Sequence, residues 1–300
     1  MIRRSEPAPL RIEDAMPDFW EFWAAATRRD REEQVTLFRT MVIERHPALY
    51  TAKVLLGDER SLEPALTNKI ECFLDEAPAR VDVMRRLAER LPFELAAHAS
   101  RFLSTFPDFR YEGAVYLLVS LRSFDGAVRK VGGQPSLLFG VDEIARVHGE
   151  DARLTVLFDH ELFHIYHAGV FPDWKLEPSP LWHSLWAEGL ATHVSATLDA
   201  EAPTALILGQ PADLEERARP MRAALARELL TKLDSLEKRD YADFFYGDIA
   251  RTDMPPRSGY YIGLLIARSL AGGVALPDAA RWGGEDLRKR IGHELERLSA

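Results

Sequence analysis

Cysteine, long apolar runs and an excess of basic residues are all missing from this chain. Its 300 residues include one cysteine, Cys72, so neither an intramolecular disulfide nor a thiolate metal cluster can form. No segment approaches the roughly 18 uninterrupted apolar residues that a membrane-spanning helix needs, and the longest candidate, residues 260–271, is interrupted by Arg268. A metal site in this chain would therefore have to use histidines and carboxylates.

The formal net charge is -9, and the basic residues are scattered among acidic ones. A nucleic-acid partner is not expected, because such a surface repels a phosphate backbone. Proline and acidic residues follow Arg3 and Arg4, so no apolar signal core develops. The protein is expected to be cytoplasmic as the sequence stands, and exported if a leader has been removed. The sequence leaves the oligomeric state open.

Hydrophobic periodicity divides the chain into helical and strand-like segments. Residues 17–103 show helical spacing and are punctuated by prolines, which predicts several helices of moderate length. Residues 114–121 and 136–141 are short apolar runs joined by a glycine-rich connection, a pattern typical of strands. Two further helices are expected, one following Asp151 as N-cap and one over residues 181–197, and the chain after Ala200 reads as helical.

The first of these two helices carries the segment His160-Glu161-Leu162-Phe163-His164, which matches H-E-x-x-H. Four-residue spacing places both imidazoles on one helix face, about a turn apart, so both can bind one metal ion. Glu161 is adjacent to the first imidazole, where its carboxylate can reach a metal-bound water without being a ligand.

A third ligand is predicted at Glu188, twenty-four residues after His164 on the second helix. A proline-rich loop joins the two helices and is long enough for the second to fold back against the first. Gly189 and Ala191 are small enough to allow close helix packing around the metal.

An H-E-x-x-H helix followed by a helix bearing Glu188-Gly189-Leu190-Ala191 resembles the gluzincin metallopeptidases. More narrowly, Glu-Gly-Leu-Ala-Thr and the later Gly-Tyr-Tyr-Ile-Gly of residues 259–263 resemble bacterial peptidase-MA-like proteins. The resemblance implies one zinc ion held by His160, His164 and Glu188, with Glu161 as general base. It also implies a peptide or protein substrate.

The resemblance also shapes the expected architecture. We expect an α+β fold that is predominantly helical, with a zincin-like catalytic core in which a small mixed β-sheet lies beside the H-E-x-x-H helix. Residues 1–106 are expected to form an N-terminal helical region and residues 107–200 the metal-binding core. Residues 201–300 are expected to form a C-terminal helical region that contributes to the cleft.

Several residues are predicted to assist the reaction. Tyr260 or Tyr261 is the candidate donor to the oxyanion, and spacing does not choose between them. The strand of residues 137–141 is the expected sheet edge for an extended substrate, with Leu138, Phe139 and Gly140 in contact with it. His167 is a candidate second-sphere partner because it lies on the helix face of His164, although a packing role is the simpler interpretation.

Two departures from the gluzincin pattern bear on activity. Thermolysin-like members have an aspartate four residues after the third ligand, where this chain has Thr192, whose hydroxyl can still accept from an imidazole. The aminopeptidase branch binds the substrate amine with a glutamate on a strand, and residues 126–141 contain none. Endopeptidase activity is therefore favoured over aminopeptidase activity.

Three other interpretations compete with a zinc peptidase. One is a zincin-like binding module that has lost turnover, although the presence of Glu161 favours an enzyme. Another is a zinc hydrolase of a non-peptide amide or ester, which the same metal-activated water can attack. The third is a helical structural protein without metal, disfavoured because two histidines and two glutamates would be buried without a shared cation.

Overall fold

The computed structural model describes residues 10–57, 61–150, 152–175, 178–247 and 251–300. The fold is α+β and predominantly helical with one small mixed sheet, which confirms this part of the predicted fold class. Two compact units are present. The first unit comprises the chain up to Ser100 together with Arg110–Leu154, and the second comprises Arg101–Phe109 together with Thr155–Ala300.

In the residues described, the first unit has one strand, then five α-helices, then three more strands and a last α-helix. Its strands are β1 (Arg11–Asp14), β2 (Ala114–Leu118), β3 (Gly126–Val131) and β4 (Gln134–Gly140). Its helices are α1 (Met16–Ala26), α2 (Arg31–Phe38), α3 (Ala52–Leu55), α4 (Glu63–Glu76), α5 (Val81–Thr105) and α6 (Val141–Val147), with short turns of π-helix (Arg39–Ile43) and 3-10 helix (Ala77–Ala79). The predicted helical character of residues 17–103 is confirmed, although Pro92 lies inside α5 and does not end it.

The sheet has the strand order β1-β2-β4-β3. Strand β2 runs parallel to β1 and β4, whereas β3 and β4 form an antiparallel hairpin. Gly132 (φ 56°) and Gly133 (φ 85°) make its two-residue turn, which requires the left-handed backbone that glycine adopts without strain. The glycine-rich connection predicted between two strands therefore contains a strand of its own.

This topology overturns the prediction that residues 137–141 form the sheet edge. Strand β4 pairs with β2 on one side and with β3 on the other, so its backbone groups are already used and cannot bind an added substrate strand. Leu138 and Phe139 are fully buried, and Gly140 is buried as well. The assignment of Leu138, Phe139 and Gly140 to substrate binding thereby loses its basis.

The second unit is helical in the residues described. Besides the end of α5 it contains α7 (Leu154–Val170), α8 (Leu181–Leu198), α9 (Thr204–Leu208), α10 (Leu214–Ala218), α11 (Arg222–Thr231), α12 (Lys238–Phe245), α13 (Ser258–Ala271), α14 (Leu276–Ala279) and α15 (Gly284–Ser299), with a 3-10 turn at Arg219–Met221. The predicted helix over residues 181–197 is confirmed by α8. The predicted N-cap Asp151 lies outside the described residues.

These two units do not coincide with the three regions predicted at 1–106, 107–200 and 201–300. The strands cluster with the N-terminal helices, whereas α7 and α8 cluster with the C-terminal ones. The three-region division stays a prediction. Among the described residues, no helix has both the length and the apolar character that a bilayer crossing requires.

Candidate metal centre

Helix α7 presents the two histidines of the H-E-x-x-H segment side by side. The Nε2 atoms of His160 and His164 lie 3.0 Å apart, and their rings meet nearly edge to face. Both side chains are mostly buried, with exposed fractions of 16% and 12%. The predicted convergence of the two imidazoles is present.

Glu188 of α8 completes a compact group of three donors. Its Oε2 atom lies 3.3 Å from the Nε2 atom of His160 and 3.3 Å from that of His164. A tetrahedral ion with nitrogen and oxygen ligands at 2.0–2.2 Å requires ligand separations of roughly 3.3 to 3.5 Å. Both distances to Glu188 reach this range and the 3.0 Å between the two Nε2 atoms lies slightly below it, so the three donor atoms are close enough to share one metal ion.

The electrostatics of this group also fit a cation. Burial alone would raise the pKa of Glu188, but the imidazoles of His164 and His160 outweigh it and hold the pKa of Glu188 well below its usual range. Glu188 is thus an anion, and within the described chain its buried Oε2 atom has no partner apart from the two imidazole nitrogens at 3.3 Å. Buried anionic oxygens are stable when they are paired or when they coordinate metal, and a shared ion would satisfy this atom.

Side-chain hydrogen bonds tie the two ligand helices together away from the site. The Ser195 hydroxyl donates to the carbonyl of Val156 at 3.2 Å, and the Thr155 hydroxyl donates to the carboxylate of Asp199 at 2.6 Å. At the other end of α8, no side chain caps the helix, and the amides of Leu181 and Trp182 donate instead to carbonyls of the loop after α11. Both ends of the helix that carries Glu188 are thereby fixed.

Helix α8 also packs backbone to backbone against α13. A Cβ atom added to Gly189 would lie 2.5 Å from the carbonyl carbon and oxygen of Gly263, and one added to Gly263 would lie 2.8 Å from the carbonyl oxygen of Leu185. Only glycine permits this approach, because the opposing atoms are backbone and cannot turn aside. The small residue predicted to allow close packing therefore does so against α13, at the position next to Glu188.

This crossing distinguishes the two candidate tyrosines. The ring of Tyr260, one turn before Gly263, has its centre 6.3 Å from that of His160. Tyr261 instead lies beside Arg219 and Glu215. Burial, followed by the negative charge of Glu188, raises the pKa of Tyr260 well above 10, so its hydroxyl retains the proton that a donor needs.

Glu161 is buried, with 8% of its surface exposed, next to the first ligand on α7. Its negative charge, like that of Glu188, contributes to the raised pKa of Tyr260. The carboxylate is therefore close enough to Tyr260 to act on it electrostatically.

The two predicted second-sphere residues have other contacts. The Thr192 hydroxyl donates to the backbone carbonyl of Glu188 at 2.7 Å, so it bonds to the ligand's own helical turn. His167 is fully buried and stacks between Phe163 and Phe171, at centroid distances of 5.0 and 4.5 Å. Burial lowers the pKa of His167 well below 6.5, which keeps it neutral in this apolar setting and supports the packing interpretation.

Two features near the ligands were not anticipated. Asp159, directly before His160, is fully buried and pairs with Arg101 at 3.2 Å. The guanidinium of Arg257 stacks over the Tyr260 ring, with Cζ 4.3 Å from its centre. An arginine just before the SGYYIG segment was visible in the sequence, but nothing in its spacing indicated the stacking. The segment His293-Glu294-Leu295-Glu296-Arg297 begins like the metal motif but ends in arginine, which cannot bind a metal, and its histidine is highly exposed.

Comparisons with models of protein families, with curated proteins and with solved structures found no match to this chain.

Proposed function

We propose that this protein is a zinc-dependent peptidase of the gluzincin type, with cleavage inside a peptide favoured over removal of its N-terminal residue. The observation that supports this most strongly is the separation of 3.0 to 3.3 Å among the Nε2 atoms of His160 and His164 and the Oε2 atom of Glu188. Two imidazoles and one carboxylate are a ligand set typical of hydrolytic zinc sites. Zinc held there would supply an activated water and polarise the substrate carbonyl.

Each remaining residue has a role that its position supports. Glu161 accepts the proton of the attacking water and delivers it to the leaving amine, as its place beside His160 allows. Tyr260 donates a hydrogen bond to the oxygen that becomes negative as the carbonyl carbon turns tetrahedral. The three ligand side chains are mostly buried, and electrostatic interactions are stronger in such surroundings than in water.

Metal binding provides the direct test. We expect the wild-type chain to bind one zinc ion after dialysis, and His164→Ala and Glu188→Ala to lose it, because two donors remain where three are needed. His293→Ala is the matched control, since that histidine is exposed and should not affect the metal. Metal content by mass spectrometry and cleavage of casein, before and after chelation and zinc addition, are the measurements.

The outcomes separate the competing functions. Zinc-dependent cleavage of casein supports a peptidase, whereas bound zinc without cleavage of casein or of a simple ester supports a binding module. Ester hydrolysis alone supports a non-peptide hydrolase. Metal content in Glu188→Ala equal to that of wild type would remove the site on which the proposal rests.

The two tyrosines provide a matched pair for the oxyanion role. Tyr260→Phe is expected to lower kcat by about 10²- to 10³-fold, the usual effect of losing one oxyanion donor, and to leave zinc content unchanged. Tyr261→Phe should stay within a few-fold of wild type, because that hydroxyl lies near Arg219. Steady-state kinetics on one peptide substrate compares the two variants. A larger loss in Tyr261→Phe would exclude Tyr260 as the donor.

A further inference from the structure

Arg257 is a cation close to the metal centre, and no acidic residue in the described part of the chain pairs with it. Among the described residues its guanidinium forms no ion pair, and its buried Nε atom has no hydrogen-bond partner. The guanidinium stacks over the Tyr260 ring at 4.3 Å and also lies beside Gly209. Since a guanidinium stays protonated in proteins, this charge is permanent and only partly compensated by the ring.

The backbone at Arg257 adds an independent observation. Its φ of 60° and ψ of 19° place it in the left-handed region, which residues with a side chain rarely adopt. Such conformations persist where the surrounding structure enforces them, and they cluster at ligand-binding and catalytic positions. The next residue, Ser258, is fully buried and its hydroxyl also has no partner in the described chain.

The position of Arg257 relates it to the proposed reaction. The Tyr260 ring neighbours both groups: its centre lies 4.3 Å from the Cζ atom of Arg257 and 6.3 Å from the centre of the His160 ring. An extended peptide rises roughly 3.3 Å per residue, so the two distances together correspond to about three residues. A group bound by Arg257 can therefore belong to a substrate whose scissile bond is at the metal.

From these observations we propose that Arg257 binds a carboxylate of the substrate and makes the enzyme selective for peptides that present one within about three residues of the scissile bond. The Nε–H and Nη–H groups of arginine form a fork that matches a carboxylate. Either a C-terminal carboxylate or an Asp or Glu side chain offers this chemistry. The inference rests on the proposed peptidase function and adds its substrate class.

The cleavage test uses three N-acetylated hexapeptide libraries, which end in a free carboxylate, in a carboxamide, or in a carboxamide with one fixed glutamate. We expect wild type to cleave a carboxylate-bearing library about 10- to 100-fold faster than the neutral one, as hydrogen bonds to a charged partner allow. Arg257→Gln should reduce that rate to the neutral level. Arg268→Gln, at an exposed position of α13, is the charge-matched control and should keep the preference.

The result also identifies the carboxylate: preference for the free-acid library assigns it to the C-terminus, and preference for the glutamate library assigns it to a side chain. Equal cleavage of all three libraries by wild type, or a preference that survives in Arg257→Gln, overturns the inference. Arg257→Lys, which keeps the charge but not the fork, should retain part of the preference, and it serves as the test variant if Arg257→Gln does not fold.

A binding measurement separates this inference from the peptidase proposal. Calorimetric titration with 3-phenylpropanoate and with its carboxamide should show binding of the carboxylate about 10-fold or more tighter in wild type, with the difference lost in Arg257→Gln. Binding that persists in Arg257→Gln would assign the carboxylate to the metal and overturn the inference. If no library is cleaved, the peptidase proposal fails and this titration alone decides whether Arg257 binds carboxylates.

Discussion

Glu161→Gln is expected to keep the bound metal and to lower the kcat/KM for peptide hydrolysis by about 10²- to 10⁴-fold. This is the range attributed to general acid-base catalysis. Glutamine has the shape of glutamate but no carboxylate to take a proton from water or return it to the leaving amine. Because Glu161 is buried on α7 and is not one of the three converging donors, the change should leave the ligand spacing intact. Metal content and kcat/KM of the same preparation are the two measurements.

The exposed Glu216 on α10 provides the control for Glu161→Gln. Glu216→Gln removes the same charge at an exposed position and should behave as wild type. If Glu161→Gln hydrolysed peptides as fast as wild type, Glu161 would have no part in the proton transfer. If it lost metal as well as activity, Glu161 would instead support the metal site itself.

The metal ligands could be predicted from the sequence because local geometry fixes most of their arrangement. A helix brings residues four apart onto one face, so the pairing of His160 and His164 needs only that α7 forms. Glu188 required the further assumption that the second helix folds back. That assumption holds, since its Oε2 atom is 3.3 Å from both imidazole nitrogens.

The rotation of one helix against another and the order of strands in a sheet depend on residues far apart in the chain. Features that follow from them could not be predicted in this way. Tyr260 and Tyr261 are neighbours in sequence, and the crossing of α13 against α8 at Gly263 and Gly189 decides which of them faces His160. The position of Arg257 follows from the same crossing. A sequence pattern gives the apolar face of a helix but not its rotation against a partner.

The sheet shows the same limit. The apolar run of residues 136–141 predicted a strand, and β4 covers most of it. Its place between β2 and β3 depends on a hairpin whose partner strand, β3, includes Arg129 and Lys130 and lacks the apolar content of a buried strand. Strand β1, with the sequence RIED and mostly exposed side chains, gave no apolar signal either. Edge strands are often polar, so the sheet order was not visible in the sequence.

Gly189→Ala is expected to weaken metal binding strongly, although Gly189 has no ligand atom. The added methyl group would lie 2.5 Å from the backbone of Gly263, so α8 and α13 must move apart. Overpacking of this kind costs about 1–3 kcal/mol of folding free energy. Metal-ligand distances tolerate only about 0.2 Å of error, so a shift of α8 that carries Glu188 away from the imidazoles should lower zinc affinity by about 10- to 100-fold, as perturbed metal surroundings commonly do.

Gly263→Ala tests the same contact from the other helix and should weaken metal binding for the same reason, since its methyl group would lie 2.8 Å from the carbonyl oxygen of Leu185. Gly169→Ala is the matched control: Gly169 lies in α7, nothing lies within 4 Å of the added methyl group, and the change should leave zinc affinity unaltered while adding about 0.4–1 kcal/mol of stability. Zinc affinity by chelator competition and thermal unfolding compare the three variants. Wild-type affinity in both Gly189→Ala and Gly263→Ala would mean that the helix crossing does not set the position of Glu188.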